Sequence, residues 1–362
     1  MSRLFSDTLA DLVPYVPGEQ PQEPIDLKLN TNEHPYGPSP HAIEAIKHAA
    51  SDTLRLYPDY SALDLRRAIA DLHAIQPDQV FVGNGSDEVL AHIYKALFQR
   101  EGVLLVPDIT YSFYRTYSAF FQVRQELVPL ADDLSLNLAD YTAKRDKPIA
   151  GIIFANPNAP TGLALGLDDI EAILRAHPDV PVVVDEAYVD FGAQSAVALL
   201  ERFDNLVVVH TLSKSRALAG LRVGFAMAST AIVAALVKVK DSFNSYPLDS
   251  LAQAGAAASI RDVDHFRQSC RAVIHARGAL SADLVELGFQ VLPSRANFVF
   301  VRHTAYDALA ISHALRERGI LVRHFNHPRI EQYLRITVGT LDQCRRLCTT
   351  LADIFDDATL SL

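Results

Sequence analysis

The sequence has no concentrated positive charge. Its 362 residues carry a formal net charge of −10, and nowhere do lysine and arginine gather into a run. It therefore offers no electrostatic footprint for nucleic acid and no basic arm, and any anion it binds must be held by a local cluster of cations. Cysteine is scarce. Cys270, Cys344 and Cys348 are an odd number with no Cys-x-x-Cys pair, so neither a disulfide framework nor a zinc site is indicated, and no metal is expected. Cys344 and Cys348 stand one turn apart in a helix-like run, which ordinary packing accounts for. No stretch approaches the ~20 apolar residues of a membrane span. The opening Met1-Ser-Arg-Leu-Phe-Ser-Asp7 also lacks the sustained apolar core of a signal peptide. A soluble, unexported protein in a reducing cytoplasm is expected. With 49% apolar and 21% charged residues, the balance is that of a globular chain long enough for two domains.

What the sequence does contain is a series of apolar runs, each ending in residues with chemistry to offer. Leu206-Val-Val-Val209 reads as a buried strand and leads into Thr211-Leu-Ser-Lys-Ser-Arg-Ala-Leu-Ala-Gly-Leu-Arg-Val-Gly224. A lysine there, among hydroxyls and eight positions before a second cation, suits an amine that condenses with a carbonyl. Nearby positive charge and partial burial both lower its pKa. Ser213, Ser215 and Arg222 would then hold a phosphate. Val80-Phe-Val-Gly-Asn-Gly-Ser-Asp-Glu-Val-Leu90 is a short strand, two glycines, and then Ser86 and Asp87 opening an apolar helix. The free N–H groups and dipole of such a helix start form an anion site. Val180-Pro-Val-Val-Val-Asp-Glu-Ala-Tyr188 ends a continuous apolar strand in a carboxylate, and a poorly solvated charge needs a partner. Taken singly, each has an ordinary reading: a solvated lysine in a loop, a weak Gly-x-Gly, an aspartate capping the next helix.

Five or six such runs alternate with helical patterns between about 75 and 230, which implies a parallel-type α/β sheet with its sites at the carboxyl ends of the strands. Before them, Pro14, Pro17, Pro21 and Pro24 favour an extended arm. After them, Leu251 to Ile274 reads as largely helical. Phe289–Pro293, Phe298–Val301, Ile320–Arg323 and Leu334–Val338 read as four short strands of a small α/β domain. Arg335 alternates with Leu334 and Ile336 and faces away from them, where a guanidinium can grip a carboxylate or phosphate with two prongs. Arg323 ends its own strand. Tyr111, Tyr114 and Tyr117 recur at helical spacing, so some of these rings are packing.

The Lys214 segment resembles the pyridoxal-phosphate (PLP) lysine motif of the aspartate-aminotransferase-like fold, Ser-Lys-x-x-x-Leu-Ala-Gly-x-Arg-x-Gly. From about Tyr15 to Thr340 the chain is similar to the histidinol-phosphate aminotransferases. The resemblance implies an arm (1–30), a large PLP-binding domain (46–255) with a mostly parallel central sheet flanked by helices, and a smaller α/β domain (31–45 and 256–362). It implies Lys214 as the cofactor's lysine, Asp185 as partner of the pyridinium N–H, Tyr188 as donor to the phenolic oxygen and Tyr111 as the ring-stacking residue. Gly85, Ser86, Asp87, Ser213, Ser215 and Arg222 would hold the cofactor phosphate, and Tyr57 would reach the phosphate of a second subunit. Tyr15, Asn32, Arg323 and Arg335 would meet the substrate. The sequence departs from the usual Asn-Pro-Asn-Asn-Pro-Thr-Gly, having Ala159 directly before Pro-Thr-Gly; either Asn158 reaches in instead, or Tyr188 holds the phenolic oxygen alone. His34 likewise replaces the second asparagine of Asn-Glu-Asn-Pro-x-Gly. The implied reaction is transamination of L-histidinol phosphate, with 2-oxoglutarate and glutamate as the other pair, in a homodimer with shared sites. The rivals are an aromatic aminotransferase and a threonine-phosphate decarboxylase of the same fold.

Overall fold

Ile149–Ala155, Val182–Asp185 and Leu206–Thr211 are apolar almost throughout and buried along nearly all their length, as strands covered on both faces must be. In the computed structural model, which describes residues 4, 9, 12–15, 18–21 and 24–356, they lie side by side at the centre of a seven-stranded sheet. The strand order is 80–84, 223–228, 206–211, 182–185, 149–155, 103–107, 125–128. All pairings are parallel except those of Val223–Ala228, which runs antiparallel to both neighbours. This is the mostly parallel α/β sheet that was expected. Alternate residues serve opposite faces. Val182, Val184, Leu206 and Val208 meet helices Leu63–His73, Leu167–Ala176 and Ser250–Arg261. Val183, Val207 and Val209 meet Gly85–Ile93, Phe113–Phe120 and Thr230–Asp241.

A second core gathers around a four-stranded antiparallel sheet, in the order 323–324, 334–337, 298–303, 289–291. Helices Val263–Glu286, Ala308–Glu317 and Leu341–Asp356 cover it, and the three free thiols are all buried. Two expectations need correction. Ile320–Arg323 is not one strand: Ile320–Leu321 pairs with Leu27–Lys28, while Arg323–His324 pairs with Leu334–Thr337, so the chain changes sheets at Val322. The helical run after Leu251 is two helices, because Asp262 ends the first at ψ 74° and caps the second, Oδ1 accepting from His265 N at 3.3 Å. Among the described residues no helix is long and apolar enough to cross a membrane.

Candidate active site

The register of the large sheet sets Ala155, Asp185 and Val209 abreast. The segments leaving these strands therefore converge at one edge, where parallel sheets carry their sites. They enclose a cavity of about 290 Å³. Of the expected residues, Tyr15, Asn32, Ser86, Asp87, Tyr111, Asp185, Tyr188, Ser213, Lys214, Arg222, Arg323 and Arg335 line it. Thr31, Glu33, Thr110, Ser112, Ala187, Thr211 and Phe325 line it too, and nothing in their local sequence set them apart.

Lys214 enters from the loop after Leu206–Thr211. Its Nζ donates to the carbonyl of Thr31 at 3.2 Å and lies 5.8 Å from the centre of the Tyr188 ring. Asp185, at the tip of its strand, is 4% exposed. Oδ2 accepts from the Tyr114 hydroxyl at 2.6 Å and Oδ1 from the Ala187 N–H at 3.2 Å. Both donors are neutral, so burial dominates and pushes the carboxyl up to about 6. Tyr114 is fully buried, and burial together with the Asp185 charge holds its phenol protonated as a permanent donor. The helical spacing of the tyrosines suggested packing for this ring; its hydroxyl contact with Asp185 spans 71 positions and carries no local signature.

The other end of the cavity is the start of helix Gly85–Ile93. No side chain among the described residues caps that start, so its first N–H groups remain available to an anion. Two close approaches create it. Gly85 has φ 78°, and a Cβ there would fall 2.5 Å from Arg222 Nη2; a Cβ on Gly224 would fall 2.3 Å from the Ser86 nitrogen. Arg222 reaches across with Nη1 on Ser213 Oγ at 3.4 Å and Nη2 on Asp87 Oδ2 at 3.3 Å. The other carboxylate oxygen of Asp87 accepts from the Tyr111 hydroxyl at 3.1 Å, which fixes the ring against this wall.

Facing this wall, Arg335 donates Nη2 to the Asn30 carbonyl at 2.9 Å, and its guanidinium lies over the rings of Phe298 and Phe325 at 5.4 and 5.6 Å. Its Nε is buried and has no partner among the described residues. Burial holds its pKa below the ordinary value, so an anion would be welcome. Arg323 lies over Phe325 at 5.7 Å. Tyr15 packs on Phe113 and Tyr111, its phenol raised by burial against the pull of Arg323 and Arg335. Asn32 is 1% exposed and directs its amide not outward but onto the Tyr188 hydroxyl, at 3.0 Å.

Two expected residues turn elsewhere. Asn158 does not reach into the cavity in place of Ala159; its Nδ2 donates to the Ile109 carbonyl at 3.0 Å and to Thr161 Oγ1 at 3.2 Å, and its Oδ1 accepts from Thr110 at 2.8 Å. Its hydrogen bonds are used in tying loops together, and Ala159 is the residue on the wall. Ser215 points behind the sheet edge, donating to Asp190. Gly85 acts through its backbone. Tyr57 stands 83% exposed, stacked on Tyr246 at 4.8 Å, on a separate surface.

The residues fit PLP on three independent counts: a lysine amine inside the cavity, a buried carboxylate held by two neutral donors, and a helix start that no side chain among the described residues caps, beside an arginine. Residues 24–351 match the family model described as aminotransferase class I and II. The chain is 57% identical over 355 residues to histidinol-phosphate aminotransferase 1 of Bordetella parapertussis, covering 98% of this chain and 99% of that one. It is 56% identical over 357 residues to histidinol-phosphate aminotransferase 2 of Dechloromonas aromatica, with the same coverage. Among solved structures, the histidinol-phosphate aminotransferase of Sinorhizobium meliloti in complex with pyridoxal-5′-phosphate has a TM-score of 0.86 at 22% identity, covering 99% of each chain. L-threonine-O-3-phosphate decarboxylase of Porphyromonas gingivalis has a TM-score of 0.77, also at 22% identity, covering 91% of this chain and 99% of that one. These structural likenesses speak for the fold.

Proposed function

The chain belongs to the histidinol-phosphate aminotransferases of aminotransferase class I and II, and from that premise we propose that the cavity at Lys214 moves an amino group from L-histidinol phosphate to 2-oxoglutarate. The products are imidazole acetol phosphate and L-glutamate, in histidine biosynthesis. The cofactor is PLP; bound here it supplies a carbonyl for amines to condense with and a ring that draws electrons from the substrate carbon. The rest falls to the protein. Lys214 holds the cofactor at rest and, once free, takes the proton from the substrate Cα onto Nζ, a task for which the Thr31 carbonyl keeps the amine inside the cavity. Asp185 has its negative charge unspent, because Tyr114 and Ala187 orient it without neutralising it, and so can hold a ring N–H cation. Tyr188 would donate to the phenolic oxygen. The helix start at Gly85, with Ser86, Ser213 and Arg222, would hold the cofactor phosphate.

The observation that carries the substrate side is Arg335 Nε, a buried guanidinium donor with no partner among the described residues, in the cavity that Lys214 enters. An unpaired buried donor is costly, and a phosphate or carboxylate would satisfy it. Arg335, Arg323 and Tyr15 thus take the phosphate of histidinol phosphate in one half-reaction and a carboxylate of glutamate in the other. We assign the enzyme to the cytoplasm and to homodimers in which Tyr57 completes the partner's cavity. The homodimer is supported by the exposed apolar side chains of Leu54, Leu56, Tyr57, Tyr60, Phe243 and Tyr246, of which Tyr57 and Tyr246 stack on each other. The division into a large and a small domain is supported by the separate cores around the two larger sheets, while Leu27 and Leu29, at the end of the expected arm, pack into the core of the small domain. The test is to add PLP, follow the absorbance of the lysine-bound cofactor, and profile amine donors. A chromophore lost in Lys214→Ala and a kcat/KM highest for L-histidinol phosphate are expected. Preference for phenylalanine, or release of CO2 from threonine phosphate as the main reaction, would overturn the assignment.

A further inference from the structure

Three residues distant in sequence lock Asn32 in place. Its backbone is left-handed at φ 57°. Its N–H donates to Thr337 Oγ1 at 3.0 Å, and the Thr337 hydroxyl donates back to Asn32 Oδ1 at 3.1 Å. Asn297 Nδ2 donates to the Asn32 carbonyl at 3.0 Å. What remains of the side chain, Nδ2, donates to the Tyr188 hydroxyl oxygen at 3.0 Å. Thr337 is 3% exposed. If the Asn32 amide were turned over, the Thr337 hydrogen would lose this acceptor, and the Tyr188 proton would be drawn to Asn32 Oδ1. Buried polar groups keep their partners, so one orientation is selected. In that orientation Tyr188, which lines the cavity, receives a hydrogen bond from Asn32, and its own proton stays available to a different acceptor.

We propose that Thr337 is a positioning residue for the reaction: by fixing the Asn32 amide, it keeps the Tyr188 hydroxyl a donor to the phenolic oxygen of PLP. The proposal rests on the PLP reading of the site. Thr337 ends the strand that carries Arg335, and that strand is laced to the segment before Asn32 by Thr337 N on the Leu29 carbonyl at 2.9 Å and Arg335 Nη2 on the Asn30 carbonyl at 2.9 Å. One strand therefore both grips the anion and sets the proton donor.

A donor on the phenolic oxygen favours its deprotonated form, so losing the donor raises the pH at which the bound cofactor's absorbance titrates. Thr337→Val keeps the shape and removes the hydroxyl. In the loaded enzyme it should raise that midpoint by about 1–2 pH units, the size of one hydrogen bond to a charged group. Thr337→Ser, which keeps the hydroxyl, should titrate with the wild type, and Thr337→Val should add no further shift in a Tyr188→Phe background. An unmoved midpoint in Thr337→Val, an equal shift in Thr337→Ser, or a full additional shift without the Tyr188 hydroxyl would each overturn the proposal. Should Thr337→Val not fold, Asn32→Asp, which puts an acceptor opposite Tyr188, must raise the midpoint, and failure to do so overturns it equally. If the wild type takes up no PLP and develops no chromophore, the cofactor reading itself falls.

Discussion

Asp185 is the carboxylate of the cavity whose ionisation burial moves, and it does so in a direction that stability can read. Its carboxyl is pushed from 3.8 to about 6 by burial, so the folded ligand-free protein binds a proton more tightly than the unfolded chain does. Stability from this group is therefore greatest below about pH 4 and declines as pH rises through about 6, by roughly 3 kcal/mol in all. Asp185→Asn should abolish that decline, and the difference in urea midpoint between variant and wild type should grow from pH 4.5 to pH 7.5. A constant difference would mean that the carboxylate is already neutralised by something nearby. At the other wall, Arg335→Lys keeps a charge but loses the planar fork. It should lower kcat/KM for both L-histidinol phosphate and glutamate by about tenfold or more, as the loss of charge-assisted hydrogen bonds implies. Arg323→Lys should weaken mainly one of the two donors, and equal, small effects from both changes would remove these arginines from the anion site. Lys214, Asp185 and Arg222 were legible because each stands at or beyond the end of an apolar run, and a charge in such a place calls for a reason. Tyr114 and Thr337 were not, because a phenol in a helical stripe and a threonine at a strand end have common uses, and their partners lie 71 and 305 positions away. Asn158 misled for the opposite reason: its motif was familiar, but its amide is consumed by Ile109, Thr110 and Thr161.

At the scale of the element, the anion site depends on how closely strand Val223–Ala228 runs past the start of helix Gly85–Ile93. Gly224→Ala would place a methyl 2.3 Å from the Ser86 nitrogen and 2.4 Å from the Gly85 carbonyl carbon, backbone atoms that cannot rotate away. Overpacking of this kind costs about 1–3 kcal/mol, and the displaced helix start should weaken PLP binding more than tenfold. Denaturation and cofactor titration of the same variant test both effects; unchanged cofactor affinity would mean the helix start does not hold the phosphate. The central strands were readable as unbroken valine and isoleucine runs, whereas Gln125–Val128 escaped notice because an edge strand with one buried residue has little apolar pattern. The change of sheet at Val322 was equally hidden, since four residues in an extended conformation look alike whichever neighbour they pair with.

At the scale of the whole molecule, the exposed face around Tyr57 and Tyr246 bears on whether the cavity works alone. If two copies share sites, Lys214→Ala and Tyr57→Ala damage different halves of the same cavity. Mixing and refolding the two inactive proteins should then restore about a quarter of wild-type activity, since half the pairs are mixed and each of those regains one intact site. No recovery, with sedimentation at monomer mass, would leave Tyr57 outside the reaction.

Strand order also bears on how the chain folds as it leaves the ribosome. Val80–Asn84 lies at the edge of the sheet and, among the described residues, pairs only with Val223–Ala228. A chain emerging from its amino end therefore holds the strand leading to helix Gly85–Ile93, with its apolar Val80, Phe81 and Val82, unpartnered for on the order of ten seconds until the later strand is made. That strand comes just after Lys214, so the sheet closes only when the lysine is already present, and a chain interrupted before Val223 cannot complete the sheet. If the cavity holds PLP as proposed, taking it up would mark chains whose synthesis has passed Ala228.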